Sequence, residues 1–417
     1  MDDLNEPAAK WIRHGTPAFR RMNLALVAAG IATFGLLYCV QPLMPGFSHE
    51  YGVSEAGSAL SLSLTTGVLA FAMLFAGGLS DTYGRKFVMT VSLVSSAVLV
   101  LLTALAPTWY ALLALRTLLG LTLSGLPAVA MTYLSEEVHV ESIGLGMGLY
   151  ISGNAIGGLS GRLIAGVVAE DFGWRGGVAA VGVVGLIAAL IFWRNLPPSR
   201  HFAPRPLQPA AQIGRFAGMF RDPALRCLFA EGFLLLGAFV TIYDYIPYRL
   251  LAPPYDLSQA AVGLIFAVYI VGMFSSPWMG QLGGRLGRRK VLWSTFTLML
   301  IGLSLTLAAS LWLVLAGLVV LTFGFFGGHS IVSSWVGRRA ATVKAQASSM
   351  YLFSYYMGSS IAGASGGVFY ASDGWNGVSG FAGVLVVAGL LISWRLRHIP
   401  ALYSPDTPTP MSHGAMP

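Results

Sequence analysis

Five ionisable side chains fall inside long apolar stretches of the chain, where little water is available to stabilise a charge. They are Arg116, Arg162, Glu231, Asp244 and His329. A guanidinium keeps its proton and needs an anion, carbonyl groups or water, whereas a carboxyl group or an imidazole can bind and release a proton. These residue types favour proton-coupled chemistry inside a membrane.

Glu231 and Asp244 are the candidate proton carriers, and His329 is a candidate relay. Simpler interpretations stay open for each of them. Asp244 could face an outer vestibule, Glu231 could sit at the membrane surface beside a helix end, and His329 could be a packing residue. Arg116 could extend its side chain to the outer surface.

The elements that hold these residues are predicted to be transmembrane helices. Hydrophobic residues make up 55% of the chain, charged residues only 10%, and the mean hydropathy is +0.70, which excludes a soluble domain with a polar surface. About 20 apolar residues cross a bilayer. The sequence therefore predicts an all-α integral membrane protein with twelve spans, at about 24–45, 57–78, 87–106, 109–134, 144–168, 176–196, 225–249, 260–282, 291–309, 312–336, 346–370 and 378–396.

The basic residues predict the orientation of these spans. With both termini in the cytoplasm, the 25 Lys and Arg residues lie on the cytoplasmic side apart from Arg116, Arg162, Arg175 and Arg249. Cytoplasmic loops of membrane proteins carry this excess of positive charge. We therefore expect a multi-pass inner-membrane protein of a bacterium, with the net charge of +8 reflecting orientation and not a nucleic-acid partner.

A Pro- and Arg-rich stretch near the middle predicts the division of the chain. The predicted regions are a cytoplasmic tail at 1–21, a six-helix bundle at 22–196, a cytoplasmic linker at 197–224, a second six-helix bundle at 225–398 and a tail at 399–417.

Internal repeats indicate that the two bundles are related. The segment from Gly77 to Lys86 recurs from Gly280 to Arg289, with an offset of 203 residues, and the glycine-rich segment around Gly153 recurs around Gly358 with an offset of 205. A Gly-Trp pair follows each glycine-rich segment, and these tryptophans are expected to anchor the outer interface. Duplication of this kind predicts two pseudo-symmetric halves and transport by alternating access.

The first repeat resembles the signature of the major facilitator superfamily, whose members are secondary transporters with two six-helix halves around a central cavity. Gly77, Asp81, Gly84 and Arg85 match that signature after the second helix, and the resemblance implies a cytoplasmic gate. Orientation of the span is the simpler explanation of the basic residues there. The second copy has Gly284 in the acid position, so a carboxylate-based latch is expected to be weaker or absent in the C-terminal half.

Two further motifs resemble that family. Arg116 and Gly120 match an Arg-x-x-x-Gly signature that the family links to proton coupling. A second segment resembles an antiporter-associated glycine motif, with asparagine in place of its proline; its residues are Gly153, Asn154, Gly157 and Gly158. Close helix packing is the alternative explanation of those glycines.

Polar and aromatic residues on the helices that line the cavity in that family are candidates for substrate contacts. They are Tyr38, Gln41, Tyr243, Tyr355 and Tyr356. Aromatic faces bind amphipathic or cationic solutes with little directional demand. Ordinary packing is the alternative for each.

The resulting hypothesis is a proton-coupled antiporter that exports small amphipathic or drug-like molecules, since four segments resemble drug exporters of the family. Those segments are 133–137, 148–154, 229–233 and 351–356. Uptake or exchange of a sugar or other metabolite, and a non-transporting sensor, remain alternatives. The chain has two cysteines without metal-ligand spacing and lacks phosphate-binding and zinc-protease motifs. We therefore expect no enzyme activity, metal or cofactor; the expected partners are protons, a small substrate and the bilayer, with the protein a monomer.

Overall fold

The computed structural model describes residues 11–202, 204, 214 and 216–399. The predicted tails and the linker therefore lie partly outside the described residues. Within these described ranges twelve helices cross the bundle, and we label them in chain order. They are α1 (Pro17–Tyr38), α2 (Glu55–Tyr83), α3 (Arg85–Ala104), α4 (Trp109–Leu123 and Pro127–Glu137), α5 and α6 (within Val140–Asn195), α7 (Pro223–Leu251), α8 (Gln259–Ile265, Phe266–Tyr269 and Ile270–Leu286), α9 (Arg288–Leu305), α10 (Leu311–Arg339), and α11 and α12 (within Lys344–Leu396).

In the part of the chain that the structure describes, eight continuous helical stretches are long and apolar enough to cross a membrane. Two of the eight contain two spans each, because the backbone leaves the helical conformation at Gly173 and again at Asp373 and Gly374. The two remaining spans are α4, which is interrupted before Pro127, and α9, which begins with three basic residues. The prediction of an all-helical fold with twelve spans in two six-helix bundles is confirmed.

The two ends of the bundle are distinguished by chain direction. We call the end that carries Pro17 and Asn195 the near end, and the end that carries the bends at Gly173 and Gly374 the far end. Both of these glycines have positive φ values, 64° and 52°, which residues with a Cβ rarely adopt.

The tryptophans after these bends differ from the sequence prediction. Trp174 and Trp375 are only 7% and 8% exposed. Trp174 donates to Glu50, and Trp375 donates to the Thr306 carbonyl at 3.1 Å. Both rings therefore cap far-end elements from inside the protein and do not face the bilayer surface.

Glycine permits the close approach of α5 to α1. A Cβ on Gly157 would lie 2.2 Å from the main-chain oxygen of Ile31, and one on Gly161 would lie 2.4 Å from the Cα of Gly35. The C-terminal half repeats this arrangement, because a Cβ on Gly358 of α11 would lie 2.0 Å from the main-chain oxygen of Phe233 on α7. Small residues at helix interfaces permit this separation, so the repeated glycines fix the same pairing in both halves.

Candidate functional site

The halves are joined at the far end by a buried chain of polar groups. Arg162 of α5 donates from Nε to Gln41 Oε1 at 2.6 Å, and Gln41 donates from Nε2 to Asp244 Oδ1 of α7 at 2.7 Å. The three side chains are between 0% and 2% exposed. A neutral amide therefore links a guanidinium on one half to a carboxyl group on the other.

The break after α1 positions Gln41 for this task. The helix ends at Tyr38, and a short 3₁₀ turn covers Gln41–Leu43 before another helix begins at Met44. Pro42 lacks a backbone donor and fixes its own φ, which favours a turn over a continued helix. The turn places the Gln41 amide between the two halves.

The Arg162 guanidinium is also held by aromatic rings. Its central carbon lies 4.3 Å from the centroid of Tyr38 on α1, 4.6 Å from that of Tyr269 and 5.3 Å from that of Phe266, the last two on α8. Its Nη1 donates to the Gly158 carbonyl one turn earlier. Cation–π contacts are stronger in such a desolvated site.

Four further hydrogen bonds between the halves close the far end. Tyr248 of α7 lies 2.7 Å from Ser48 and 2.5 Å from Ser58, Gln259 of α8 donates to the Pro42 carbonyl at 2.5 Å, and Ser360 of α11 donates to the Ser63 carbonyl of α2 at 2.7 Å. The structure is thus a state closed at the far end.

A second acid, Glu231, lies on α7, the helix that carries Asp244, and closer to the near end. Glu231 is fully buried, and among the described residues neither of its carboxylate oxygens has a hydrogen-bond partner. Tyr351 of α11 packs on the neighbouring residue, since a Cβ on Gly232 would lie 2.6 Å from its ring. Tyr351 and His329 are 2.9 Å apart, hydroxyl to Nδ1. The sequence-predicted Glu231 and His329 are therefore brought into one cluster on the C-terminal half.

Aromatic rings connect the two acid sites. Tyr269 packs on Phe239 at 5.3 Å between centroids, Phe239 stacks on Phe325 at 3.8 Å, and Tyr355 lies 4.6 Å from His329. Phe325 lies 6.3 Å from Tyr355. The aromatic path thus runs from the Arg162 site to the Glu231 cluster.

The predicted substrate-contact residues fall at different places along this path. Tyr38 and Gln41 belong to the far-end network. Tyr355 belongs to the His329 cluster. The ring centroid of Tyr356 lies 5.5 Å from that of Tyr355. Tyr243 is fully buried, and its hydroxyl lies 2.6 Å from that of Thr322 on α10. Tyr243 is therefore engaged in packing within the C-terminal half in this state.

Arg116 is held apart from the carboxyl groups. It is fully buried, and it donates to the carbonyls of Ser61 at 2.8 Å, Leu36 at 3.1 Å and Leu37 at 2.6 Å. Gly120 lets the helices come close, because a Cβ there would lie 2.2 Å from the Thr65 carbonyl oxygen. Arg116 therefore ties α1, α2 and α4 together, and its charge is accommodated by main-chain oxygens.

The signature after α2 forms an ion-pair cluster at the near end. Arg85 contacts Asp81 at 2.5 Å and binds Glu136 through two hydrogen bonds of 2.7 and 3.0 Å. Gly84 has a φ of 95°, which permits the tight turn between α2 and α3. Gly77 has open space where a Cβ would lie. Arg85 thus fastens the α2–α3 turn to the end of α4.

Sequence reasoning missed Glu136 as the partner of Arg85. It also missed Glu137, whose carboxylate accepts the backbone amides of Arg200 at 2.7 Å and His201 at 2.9 Å. The sequence signal for these contacts was the acidic pair Glu136-Glu137 at the end of the predicted fourth helix, together with the basic turn at Arg85.

Among the described residues, the second copy of the signature shows no matching ion-pair cluster. Gly287 repeats the turn with a φ of 94°, but Arg288 donates to the hydroxyl of Ser334 at 3.0 Å. Arg339 instead binds Asp222, the capping residue of α7, at 2.8 Å. Burial raises the pKa of the Asp222 carboxyl, but hydrogen bonds from Arg339 and the Ala224 amide outweigh it, so this pKa lies below its usual value.

The asparagine of the glycine segment packs where α1 and α5 meet. A Cβ on Gly30 of α1 would lie 2.5 Å from Asn154 Oδ1, and one on Gly153 would lie 2.7 Å from the Val27 main-chain oxygen. Gly158 lies beside the Arg162 guanidinium, since a Cβ on Gly158 would lie 3.4 Å from Arg162 Nη1. The segment therefore serves helix packing and leaves room for Arg162.

The fold and these buried charged sites are those of a secondary membrane transporter. The model of the Major Facilitator Superfamily matches residues 26–251 and 245–413, and the chain belongs to that family.

Individual relatives agree with this assignment. The chain is 51% identical over 388 residues to the inner membrane transport protein YnfM of Escherichia coli K12, covering 93% of each chain. It is 28% identical over 285 residues to the multidrug resistance protein MdtG of Citrobacter koseri, covering 65% of this chain and 69% of that one.

The chain superposes with a TM-score of 0.72, at 16% identity, on a solved structure. That structure is a bacterial homologue of the human lysosomal transporter Spinster in an inward-facing, occupied conformation. The match covers 91% of this chain and 96% of that one. At this identity the likeness shows the fold alone.

Proposed function

We propose that the protein exports small amphipathic organic molecules in exchange for protons, by alternating access of the two halves. One observation carries the proposal: a protonatable acid, Asp244, takes part in the polar chain that joins the halves across the far end. A change in its protonation therefore acts on an inter-half contact, which is what coupling an ion gradient to conformation requires.

Glu231 is proposed as the second acid of the cycle. Its carboxyl group is buried beside Tyr351 and has no hydrogen-bond partner in the part of the chain that the structure describes, and burial of an unpaired charge is costly. The acid is therefore expected to hold a proton in the absence of a cationic group and to release it when substrate or water reaches it.

The substrate class is proposed from the aromatic path between the two acids. Flat aromatic faces from α7, α8, α10 and α11 supply contact area with few hydrogen bonds that fix one ligand shape. Such aromatic faces, once exposed by movement of the halves, would suit amphipathic molecules of varied structure. The multidrug resistance name of a distant relative supports the same direction.

The orientation follows from the positive charges. The near end carries most of the Lys and Arg residues, so we place it, and both termini, in the cytoplasm of a bacterial inner membrane. In this orientation the far-end contacts close the outer side. We propose that the protein acts as a monomer and as a carrier, without enzyme activity, cofactor or nucleic-acid partner.

The test is transport in proteoliposomes that contain the purified protein and an amphipathic fluorescent dye. An imposed pH gradient should drive dye movement opposite to protons, and a protonophore should abolish it. Dye or sugar movement in the same direction as protons would instead support uptake. Saturable dye binding without flux or counterflow would identify a sensor and overturn the proposal.

A further inference from the structure

The turn between α8 and α9 repeats the backbone of the turn between α2 and α3 but not its charges. Gly84 and Gly287 have nearly the same conformation, with φ and ψ of 95° and 143° in the first copy and 94° and 129° in the second. The next residue is an arginine in both copies, Arg85 and Arg288. Matching turns therefore present a guanidinium from the start of the following helix, so that the neighbours of the two arginines can be compared directly.

The acidic partners of the first copy are replaced by glycine and by arginine in the second. Asp81, which contacts Arg85 at 2.5 Å, corresponds to Gly284. The helix that supplies the other carboxylate to Arg85, α4, ends in Glu136-Glu137, whereas its counterpart α10 ends in Arg338-Arg339. The charge at the end of this helix is therefore opposite in sign in the two halves.

Arg288 has one hydrogen-bond acceptor in the part of the chain that the structure describes. Its Nε donates to the Ser334 hydroxyl at 3.0 Å, which leaves the four N–H groups of its two terminal nitrogens. Arg338 is near enough to act on its charge, and two cations at one place repel each other. Arg288 therefore lacks the carboxylates that bind Arg85 in the other half.

There is room for an added group beside Arg288. A Cβ on Gly284 or on Gly287 would meet no neighbouring atom of the described residues within 4 Å. The Arg288 side chain runs alongside, because its Cγ would lie 3.7 Å from a Cβ on Gly283. The place that the Asp81 side chain takes in the first copy is thus accessible in the second.

The sequence supplies little negative charge to this end of the C-terminal half. Between Asp256 and Asp406 the single acidic residue is Asp373, which lies at the far-end bend. Asp222, at the start of α7, already binds Arg339 at 2.8 Å. Helices α8 to α12 therefore offer the turn no acidic partner at the near end.

Further cations lie on the same turn. Arg285 and Lys290 are exposed, and the Arg289 guanidinium lies over the Trp335 ring at 6.0 Å from its centroid. The near end is the cytoplasmic side in the proposed orientation, and basic pockets on that side of membrane proteins bind lipid headgroups. The positive charge and the open space together favour a small anion with several acceptor oxygens.

We propose that the α8–α9 turn binds a phosphate group, carried by an anionic phospholipid or free in the cytoplasm, with Arg288 and Arg338 as its ligands. The phosphate oxygens take the role in the C-terminal half that the carboxylates of Asp81 and Glu136 have in the N-terminal half. Arginine suits this role because its planar guanidinium forms two parallel hydrogen bonds to phosphate. The site involves no covalent step, and it lies outside the proposed transport path and does not depend on it.

The test is thermal unfolding of the purified protein in neutral detergent, because a ligand that binds only the folded state raises the unfolding midpoint as its concentration rises. One series adds inorganic phosphate, with sodium chloride at equal ionic strength as its control. The other adds phosphatidylglycerol, with phosphatidylcholine, which has no net charge, as its control. A rise with phosphatidylglycerol alone assigns the site to a lipid, and a rise with inorganic phosphate assigns it to the free anion as well.

Three variants separate this turn from other basic groups. In Arg288→Ala and in Gly284→Asp, the ligand concentration needed for a given rise should increase about tenfold or more, as expected for the loss of a hydrogen bond to a charged group. Gly284→Asp places a carboxylate beside Arg288, as Asp81 lies beside Arg85, so it should also raise the midpoint before ligand is added. Arg395→Ala removes an exposed near-end cation of the same half outside the turn, and it should respond like the parent.

Equal responses in the parent, Arg288→Ala and Gly284→Asp would overturn the inference. So would a parent that responds to neither phosphate probe, or one that responds equally to each probe and its control. Dye transport is not part of this readout. Failure of the phosphate site would therefore leave the proposed export function standing, and failure of pH-driven export would leave the phosphate site standing.

Discussion

Gln41 Nε2 donates a hydrogen bond of 2.7 Å to Asp244 Oδ1, so a neutral amide on one half holds an acid on the other. The same amide accepts from Arg162 at 2.6 Å. Opposite charges that touch directly in a buried site are costly to separate. With an amide between them, this polar chain can part by breaking one hydrogen bond, while Arg162 keeps Gln41, its Gly158 bond and the Tyr38 ring of its own half.

The first prediction concerns this amide. Gln41→Leu should open the far end, because Arg162 loses an acceptor and Asp244 loses a donor, at a cost of roughly 1–3 kcal/mol per unsatisfied group. Spin-label distances across the far end should shift toward the long population at a pH where the parent is closed. Gln259→Leu, which removes one hydrogen bond to the Pro42 carbonyl, is the matched control. It should shift the spin-label distances less than Gln41→Leu does. Equal shifts would mean that Gln41 has no special role.

The second prediction concerns Glu231. Glu231→Gln keeps the shape of the side chain but cannot exchange a proton, so transport driven by a pH gradient should fall to the background rate. Substrate exchange in the absence of a gradient should persist, because it does not require net proton movement. Both rates can be measured in the same proteoliposomes. Full gradient-driven transport in this variant would exclude Glu231 from the cycle.

The third prediction concerns the near-end ion pair. Two hydrogen bonds join Arg85 to Glu136, and hydrogen bonds to charged groups contribute about 1.5–3 kcal/mol. Arg85→Ala and Glu136→Ala should each lower the thermal unfolding midpoint in detergent, and the double variant should lose less than the sum. Arg288→Ala in the second copy, where the partner is the Ser334 hydroxyl, should have a smaller effect. Additive losses at Arg85 and Glu136 would argue against the pair.

The fourth prediction concerns glycine packing. Gly157→Ala places a Cβ 2.2 Å from the Ile31 main-chain oxygen, so α1 and α5 must move apart, and overpacking of this kind costs about 1–3 kcal/mol. Gly148→Ala lies on the same helix with nothing within 4 Å of the new Cβ. The thermal unfolding midpoint should fall in the first variant and stay or rise in the second. Similar midpoints would show that α1 and α5 are not in tight contact.

The sequence predicted the fold because its signals are local and repeated. Apolar length identified most spans, and the Gly77 and Gly153 repeats correctly indicated two related halves. The second copy has Gly284 in the acid position, and Arg288 there binds a hydroxyl; the expectation of a weaker carboxylate latch stays a prediction. These features are set by residues that are close together in the chain, so they can be recognised in the sequence.

The site was predicted only in part because its pairings are distant in the chain. Periodicity within one helix does not reveal that Gln41 lies between Arg162 and Asp244. The partner of Arg85, the capping role of Trp174 and the carbonyl cage around Arg116 also depend on which helices become neighbours. The two intramembrane arginines look alike in sequence, yet they differ in the structure: Arg162 reaches toward the other half, whereas Arg116 stays within its own.

The most direct test of the central claim measures protons and substrate together. Proteoliposomes that contain the protein, a pH-sensitive dye inside and an outward gradient of an amphipathic substrate should show proton movement opposite to the substrate. Asp244→Asn vesicles should show neither movement, because the amide at this position cannot bind and release a proton. Substrate movement in the parent without any change in internal pH would contradict proton-coupled exchange.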